Sequence, residues 1–122
     1  MGQERVFQMP LSKIYPLLAA KAEKKGRSRE EVDAVIQWLT GYAPSELRRL
    51  LETDIPYGAF FQNAPRMHPD RQLIRGTICG VRVEEIQDPL LRDIRCLDKL
   101  IDELARGKPL ETILRRREPP NV

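Results

Sequence analysis

Apolar side chains recur along this chain at helical rather than strand spacing. Ile14, Leu17, Leu18 and Ala22 fall at i, i+3, i+4 and i+8, which predicts a helix over 12–25. Pro16 is expected in its first turn, where a missing N–H costs least. Gly26 supplies a left-handed stop behind Lys24 and Lys25. Ser28-Arg29-Glu30-Glu31 is a capping box opening a helix over 28–39, striped by Val32, Val35, Ile36 and Leu39 and closed by Gly41. Pro44 suits the first position of a third helix, 44–52, with Leu47, Leu50 and Leu51 inward. Asp88-Pro89 is an N-cap followed by an N1 proline. Behind it Leu90, Ile94, Leu97, Ile101 and Leu104 make a coiled-coil-like seam along 89–106, with Asp102 and Arg106 as an i, i+4 pair and Gly107 as the stop. Pro109 opens a last short helix carrying Leu110, Ile113 and Leu114.

The stretches between are less regular. Residues 3–11 read as an extended arm anchored by Val6 and Phe7. Prolines 56, 65, 69 and 89 punctuate the middle, leaving room for short helices at 57–63 and 70–75. Residues 77–83 (TICGVRV) are β-branched with partial alternation, consistent with a short strand or a buried irregular turn. Leu73, Ile74, Ile78, Val81 and Val83 call for burial, so 64–84 is expected to frame the main concavity. The fold class is therefore all-α, or nearly so: five to seven helices, with a minor two-stranded element from Val6-Phe7 and Val81-Val83 as the β alternative. Residues 1–114 form one helical domain, and 115–122 a basic, disordered tail.

Composition adds limits. The 122 residues are 41% hydrophobic and 32% charged, too apolar for a disordered chain. The net charge of +3 resides in 106–122, where Arg106, Lys108, Arg115, Arg116 and Arg117 face only Glu111 and Glu118. The pI of 9.1 thus reflects one end rather than a basic fold. No apolar run suggests a leader or a membrane span, and a cytoplasmic address is expected. Cys79 and Cys96 lack metal-site spacing and read as free thiols. No phosphate loop, metal set or cofactor motif is present in the sequence.

Three chemistries compete. Leu91 and Leu100 widen the apolar seam beyond one stripe, and Trp38 and Tyr42 give a second sticky patch, which together favour a homodimer. The alternative is the central core helix of a monomer, its flank covered by 53–86 with Phe60, Phe61 and Ile78, and with Trp38 and Tyr42 as core. Gly41 could mark the turn of a helix-turn-helix, with Arg48, Arg49, Arg115, Arg116 and Arg117 facing phosphates. Against it, Gln37 and Thr40 sit at packing positions, and Glu46 and Glu52 would oppose the backbone. Arg66, His68, Cys79, Arg82 and Glu84 are pocket candidates in the irregular middle, where Cys79 could be a nucleophile with His68 as base. The simpler reading makes Cys79 a small buried hydrophobe. No catalytic residue is assigned. The leading expectation is a non-enzymatic, self-associating interaction module; next a nucleic-acid-associated protein; third a small-molecule binder or enzyme centred on 66–84.

Several blocks also form a recognisable set: Ala22-Glu23-Lys24-Lys25-Gly26-Arg27, Trp38-Leu39-Thr40-Gly41-Tyr42, Ile78-Cys79-Gly80-Val81-Arg82-Val83-Glu84, Ile94-Arg95, Leu97 to Ala105, and Gly107-Lys108. From about residue 5 to 116 the chain resembles the prokaryotic domain-of-unknown-function family 2200. The resemblance implies a small, mainly helical bacterial cytoplasmic domain and supplies no activity. Where that family carries Asn before the proline of its Met-x-Pro segment, this chain has His68.

Overall fold

Prolines mark most of the helix starts: Pro10, Pro56 and Pro109 stand at N-caps and Pro44 and Pro89 at first helical positions, while the side chains of Ser28 and Asp88 cap two starts. The computed structural model describes residues 2–114. In order these form α1 (Gly2–Gln8), α2 (Leu11–Glu23), α3 (Arg29–Thr40), α4 (Pro44–Leu50) and α5 (Tyr57–Gln62). A hairpin of β1 (Thr77–Ile78) and β2 (Val81–Arg82) follows, then α6 (Pro89–Ala105) and α7 (Leu110–Ile113). Single 3-10 turns at Pro69–Leu73 and Val83–Glu85 flank the hairpin. The Ser28 hydroxyl accepts from Glu31 N–H at 3.1 Å while Glu31 Oε1 accepts from Ser28 N–H at 3.0 Å, the reciprocal box read in the sequence. Asp88 Oδ1 accepts from Leu90 N–H at 3.0 Å to start α6. Gly41 ends α3 in the left-handed region at φ 81°.

The apolar stripes converge on α6, which packs against α2, α3, α5, α7, the hairpin and the Val83–Glu85 turn. Ile94, Leu97, Leu100, Ile101 and Leu104 are buried there, together with Val32, Val35, Ile36 and Leu39 of α3. A short backbone pairing seats the N-terminal helix. Leu11 N–H donates to the Ile55 carbonyl at 2.9 Å, and Tyr57 N–H to the Met9 carbonyl at 2.7 Å. This brings α1 onto α5.

Four expectations need correction. Residues 3–11 are not an extended arm: Val6 and Phe7 lie in α1, and Val81 pairs with Ile78 instead, closing a two-residue hairpin. Pro16 falls in the second turn of α2, because the helix starts at Leu11, directly after the Pro10–Pro56 bridge. Leu73 and Val81 are exposed, although Ile74, Ile78 and Val83 are buried as expected. Most consequentially, Leu91 and Leu100 are both buried, so neither can serve as an exposed interface residue. The middle segment and α5 cover the flank of α6 that the helical stripes alone would leave bare. Among the described residues no helix is long and apolar enough to cross a membrane. The 115–122 segment, with Arg115, Arg116 and Arg117, lies outside the described residues.

Candidate functional site

The pocket candidates do not assemble around one another. The 66–68 strap runs along the end of α3, with Arg66 N–H donating to the Thr40 carbonyl at 3.1 Å and His68 N–H to that of Leu39 at 2.9 Å. His68 stacks on Trp38 at 4.1 Å between ring centroids, and its Nδ1 accepts from Asp70 N–H at 3.0 Å. Glu84 Oε1 accepts from Gly76 N–H at 3.0 Å, which holds its carboxyl below the usual range, and Arg82 pairs with Glu84 at 3.7 Å. The backbone of Arg66 and His68 and the side chains of His68, Arg82 and Glu84 fasten the irregular segment to itself and to α3. Cys79 contacts Arg95 rather than His68, so the anticipated nucleophile–base pair is not formed. It is also exposed; Cys96 is the buried thiol.

The other candidates separate in the same way. Tyr42 is a core residue: its hydroxyl donates to the Phe60 carbonyl at 2.7 Å and its ring stacks on Phe60 at 4.7 Å. Trp38 is only half-buried but is engaged by His68. Arg48 and Arg49 are exposed on the seven-residue α4. Arg48 lines a small cavity of about 190 Å³ beside Asp33, whose carboxylate accepts from the Tyr15 hydroxyl at 2.6 Å. Among the described residues no group of three or more His, Cys, Asp or Glu could hold a metal.

A different site emerges where α1, α2, α5 and α6 meet the hairpin. A cavity of about 360 Å³ opens there, walled by Val6, Ile14, Leu18, Ile94 and Ile101. Tyr57 and Ile78 line it, and Lys21, Cys79, Arg95 and Asp98 supply its polar groups. Tyr57 is 1% exposed, and its hydroxyl has no hydrogen-bond partner among the described residues. Burial, with the nearby Asp98 charge adding to it, pushes that hydroxyl well above its ordinary titration range, so it stays a protonated donor. Burial likewise raises the Asp98 carboxyl, opposed by the Arg95 guanidinium that donates to Oδ2 at 2.9 Å. The same Arg95 Nη1 lies 3.9 Å from Cys79 Sγ.

Cys79 reaches this position through its turn. Cys79 and Gly80, the two residues between β1 and β2, have φ of 54° and 80°, the sign pattern of a type I′ hairpin. Lys99 Nζ, donating to the Thr77 carbonyl at 3.3 Å, ties the hairpin to α6.

Next to the cavity, and sharing Leu17 and Lys21 with it, an open groove of about 700 Å³ runs between α2 and α6. It is the larger concavity, and no residue of 64–84 lines it, contrary to expectation. Lys24, Lys25 and Arg106 flank Leu17, which is 64% exposed. Asp102 pairs with Lys21 at 3.3 Å and with Arg106 at 3.0 Å. Sequence reasoning missed Tyr57, Arg95 and Asp98 as site residues, because each looks ordinary until the fold sets them beside one cavity. The Cys-Gly dipeptide between Thr77-Ile78 and the alternating Val81-Arg82-Val83 was the available hairpin signal.

No curated protein matches the chain. Among solved structures, the crystal structure of the uncharacterized protein SP1917 is similar, with a TM-score of 0.88 and 46% sequence identity over 92% of each chain. The family model described as an uncharacterized protein conserved in bacteria, domain of unknown function 2200, matches residues 5–115, and the chain belongs to that family.

Proposed function

We propose that this chain is a non-enzymatic binding module whose ligand is small, largely apolar and polar at one end. Tyr57 carries this reading. A hydroxyl buried without a partner costs about 1–3 kcal/mol, and here it belongs to a residue lining a cavity within the roughly 300–1,000 Å³ range of ligand sites. An acceptor atom on a ligand would offset that cost, while the aliphatic walls would cover its apolar body. Binding fits better than catalysis because the Arg95–Asp98 pair is already engaged with itself. A medium-chain carboxylic acid such as dodecanoate is a suitable probe. Saturable perturbation of the Ile14, Ile94 and Ile101 methyl resonances supports the reading; unperturbed methyls at the solubility limit overturn it.

A second reading keeps a protein interaction but moves it away from Leu91 and Leu100. The exposed Leu17 between Lys24, Lys25 and Arg106 suits an acidic, amphipathic segment of a partner. A homodimer closed through this groove would bring those lysines near their own copies, which disfavours self-association there. Light scattering tests it: a mass near 28 kDa, twice the 14.1 kDa chain, that falls to one chain in Leu17→Glu would favour the homodimer. The nucleic-acid alternative has less support, since Arg48 sits beside Asp33 in a cavity separate from the α2–α6 groove.

A further inference from the structure

We infer that Cys79 is a thiol–disulfide exchange site whose captured group, an apolar moiety with an acidic end, lodges in the Tyr57 cavity. This rests on the binding reading above and adds a covalent step to it. The hairpin turn places a cysteine where Asn or Asp normally precedes glycine, and the thiol so placed is both exposed and part of the cavity lining. The turn is held from two sides, by Lys99 on the Thr77 carbonyl and by Glu84 on Gly76 N–H. A thiol on a surface alone would react without preference. This one adjoins aliphatic walls, the unpartnered Tyr57 hydroxyl and the Lys21 and Arg95 cations.

Exchange needs only a low-molecular-weight disulfide, R–S–S–R, as co-reactant. The Cys79 thiol loses its proton to solvent, and Sγ attacks one sulfur of the disulfide. The S–S bond breaks as the new Sγ–S bond forms, and R–S⁻ leaves with the electron pair and takes up a proton. Cys79 is thereby oxidised and half of the disulfide reduced, so no other oxidant enters. The retained R group directs its apolar part along Ile94 and Ile101 and its acid toward the Tyr57 donor. Cys96 does not compete, being buried.

The experiment compares two disulfides on the intact chain: dithiobis(nitrobenzoic acid), which is aromatic and acidic, and hydroxyethyl disulfide, which is small and neutral. Labelling is located by peptide mass mapping, on native and urea-unfolded protein. The expected result is one equivalent at Cys79, with the aromatic acid's rate advantage at least tenfold greater on the native chain, and no native labelling in Cys79→Ser. Tyr57→Phe should reduce that native advantage about three- to tenfold, the worth of one hydrogen bond at about 1.4 kcal/mol per decade. The same rate ratio on native and unfolded chain, or a native ratio indifferent to Tyr57→Phe, would mean an exposed thiol and nothing more. Non-covalent dodecanoate binding separates the two failures. If binding persists in Cys79→Ser while exchange shows no selectivity, only this inference falls; if dodecanoate does not bind at all, the cavity reading falls with it.

Discussion

Arg27 grips Glu31 through both prongs of its guanidinium, with Nε 3.1 Å from Oε1 and Nη2 2.8 Å from Oε2. The remaining nitrogen, Nη1, donates to the carbonyls of Leu104 at 3.1 Å and Lys108 at 2.8 Å. A residue preceding α3 therefore caps the far end of α6, whose last carbonyls have no partners within the helix. Glu31 in turn completes the Ser28 capping box. One guanidinium joins the start of one core helix to the end of another.

That geometry makes Arg27→Lys a poor replacement. An ammonium keeps the charge but cannot span Glu31 and two carbonyls at once. With hydrogen bonds to charged groups worth about 1.5–3 kcal/mol each, the variant should lose at least 1.5 kcal/mol, roughly. Denaturant titration should show a lower midpoint with an unchanged slope, because the fold stays compact. An unaltered midpoint would show that the bridge contributes nothing net.

Acid should act through the partner. The Arg27 hydrogen bond, seconded by Ser28 N–H, pulls the Glu31 carboxyl from 4.5 down to about 2. A carboxyl depressed in the folded state binds its proton more readily when unfolded, so its contribution is complete above pH 4.5 and lost as pH falls toward 2. Glu31→Gln should flatten the fall of stability across that window while lowering stability at neutral pH. An equally steep fall in the variant would assign the acid sensitivity to other carboxyls.

How much of this was legible follows from the range of the interactions. Ser28, Gly41, Asp88 and Gly107 act within a turn of their own position, so composition and order reveal the boundaries they set. The α6 seam is likewise a local periodicity, and the burial of Ile94, Leu97, Ile101 and Leu104 followed, with Leu90 partly buried at its start. The burial of Leu91 and Leu100 did not follow, because what covers them comes from segments with no strong periodicity of their own. Nor could Tyr57 be singled out: a buried tyrosine ordinarily finds a partner, as Tyr42 does on Phe60. Only the packed structure distinguishes the satisfied hydroxyl from the orphan.

Two glycines with the same backbone sign should respond differently to alanine. Gly26 and Gly41 have φ of 85° and 81°, so either substitution incurs a left-handed penalty of about 1–2 kcal/mol. A Cβ at Gly26 meets nothing within 4 Å, whereas at Gly41 it would lie 2.8 Å from the Arg66 carbonyl oxygen and 2.9 Å from its nitrogen. Gly41→Ala should therefore cost clearly more than Gly26→Ala and displace the 66–68 strap, quenching the Trp38–His68 stack. Equal losses by thermal melting would mean that the strap yields freely.

Leu100→Glu should abolish folding rather than split an assembly. The side chain is fully buried along α6, and truncating such a leucine already costs about 2–5 kcal/mol. Adding an unpaired carboxylate exceeds much of the roughly 5–15 kcal/mol that stabilises an ordinary domain. Leu17→Glu, on an exposed position of α2, should leave the melting curve nearly intact. Circular dichroism decides between the two, and a folded Leu100→Glu chain would contradict the burial described above.

Tyr57→Phe should move stability and binding in opposite directions. The ring's neighbours are aromatic, with Phe61 edge-on at 5.1 Å and Phe60 parallel at 6.4 Å, and phenylalanine keeps both contacts. What it removes is a hydroxyl buried without a partner, a burden of about 1–3 kcal/mol in the unliganded chain. The ligand-free variant should therefore melt at higher temperature than the parent. Dodecanoate should bind it more weakly, since the only gain lost is the donor that the ligand's acceptor would use. Groups that hold function at a cost to stability behave in this way. A lowered melting temperature with unchanged binding would show that solvent already satisfies the hydroxyl and that the cavity draws nothing from it.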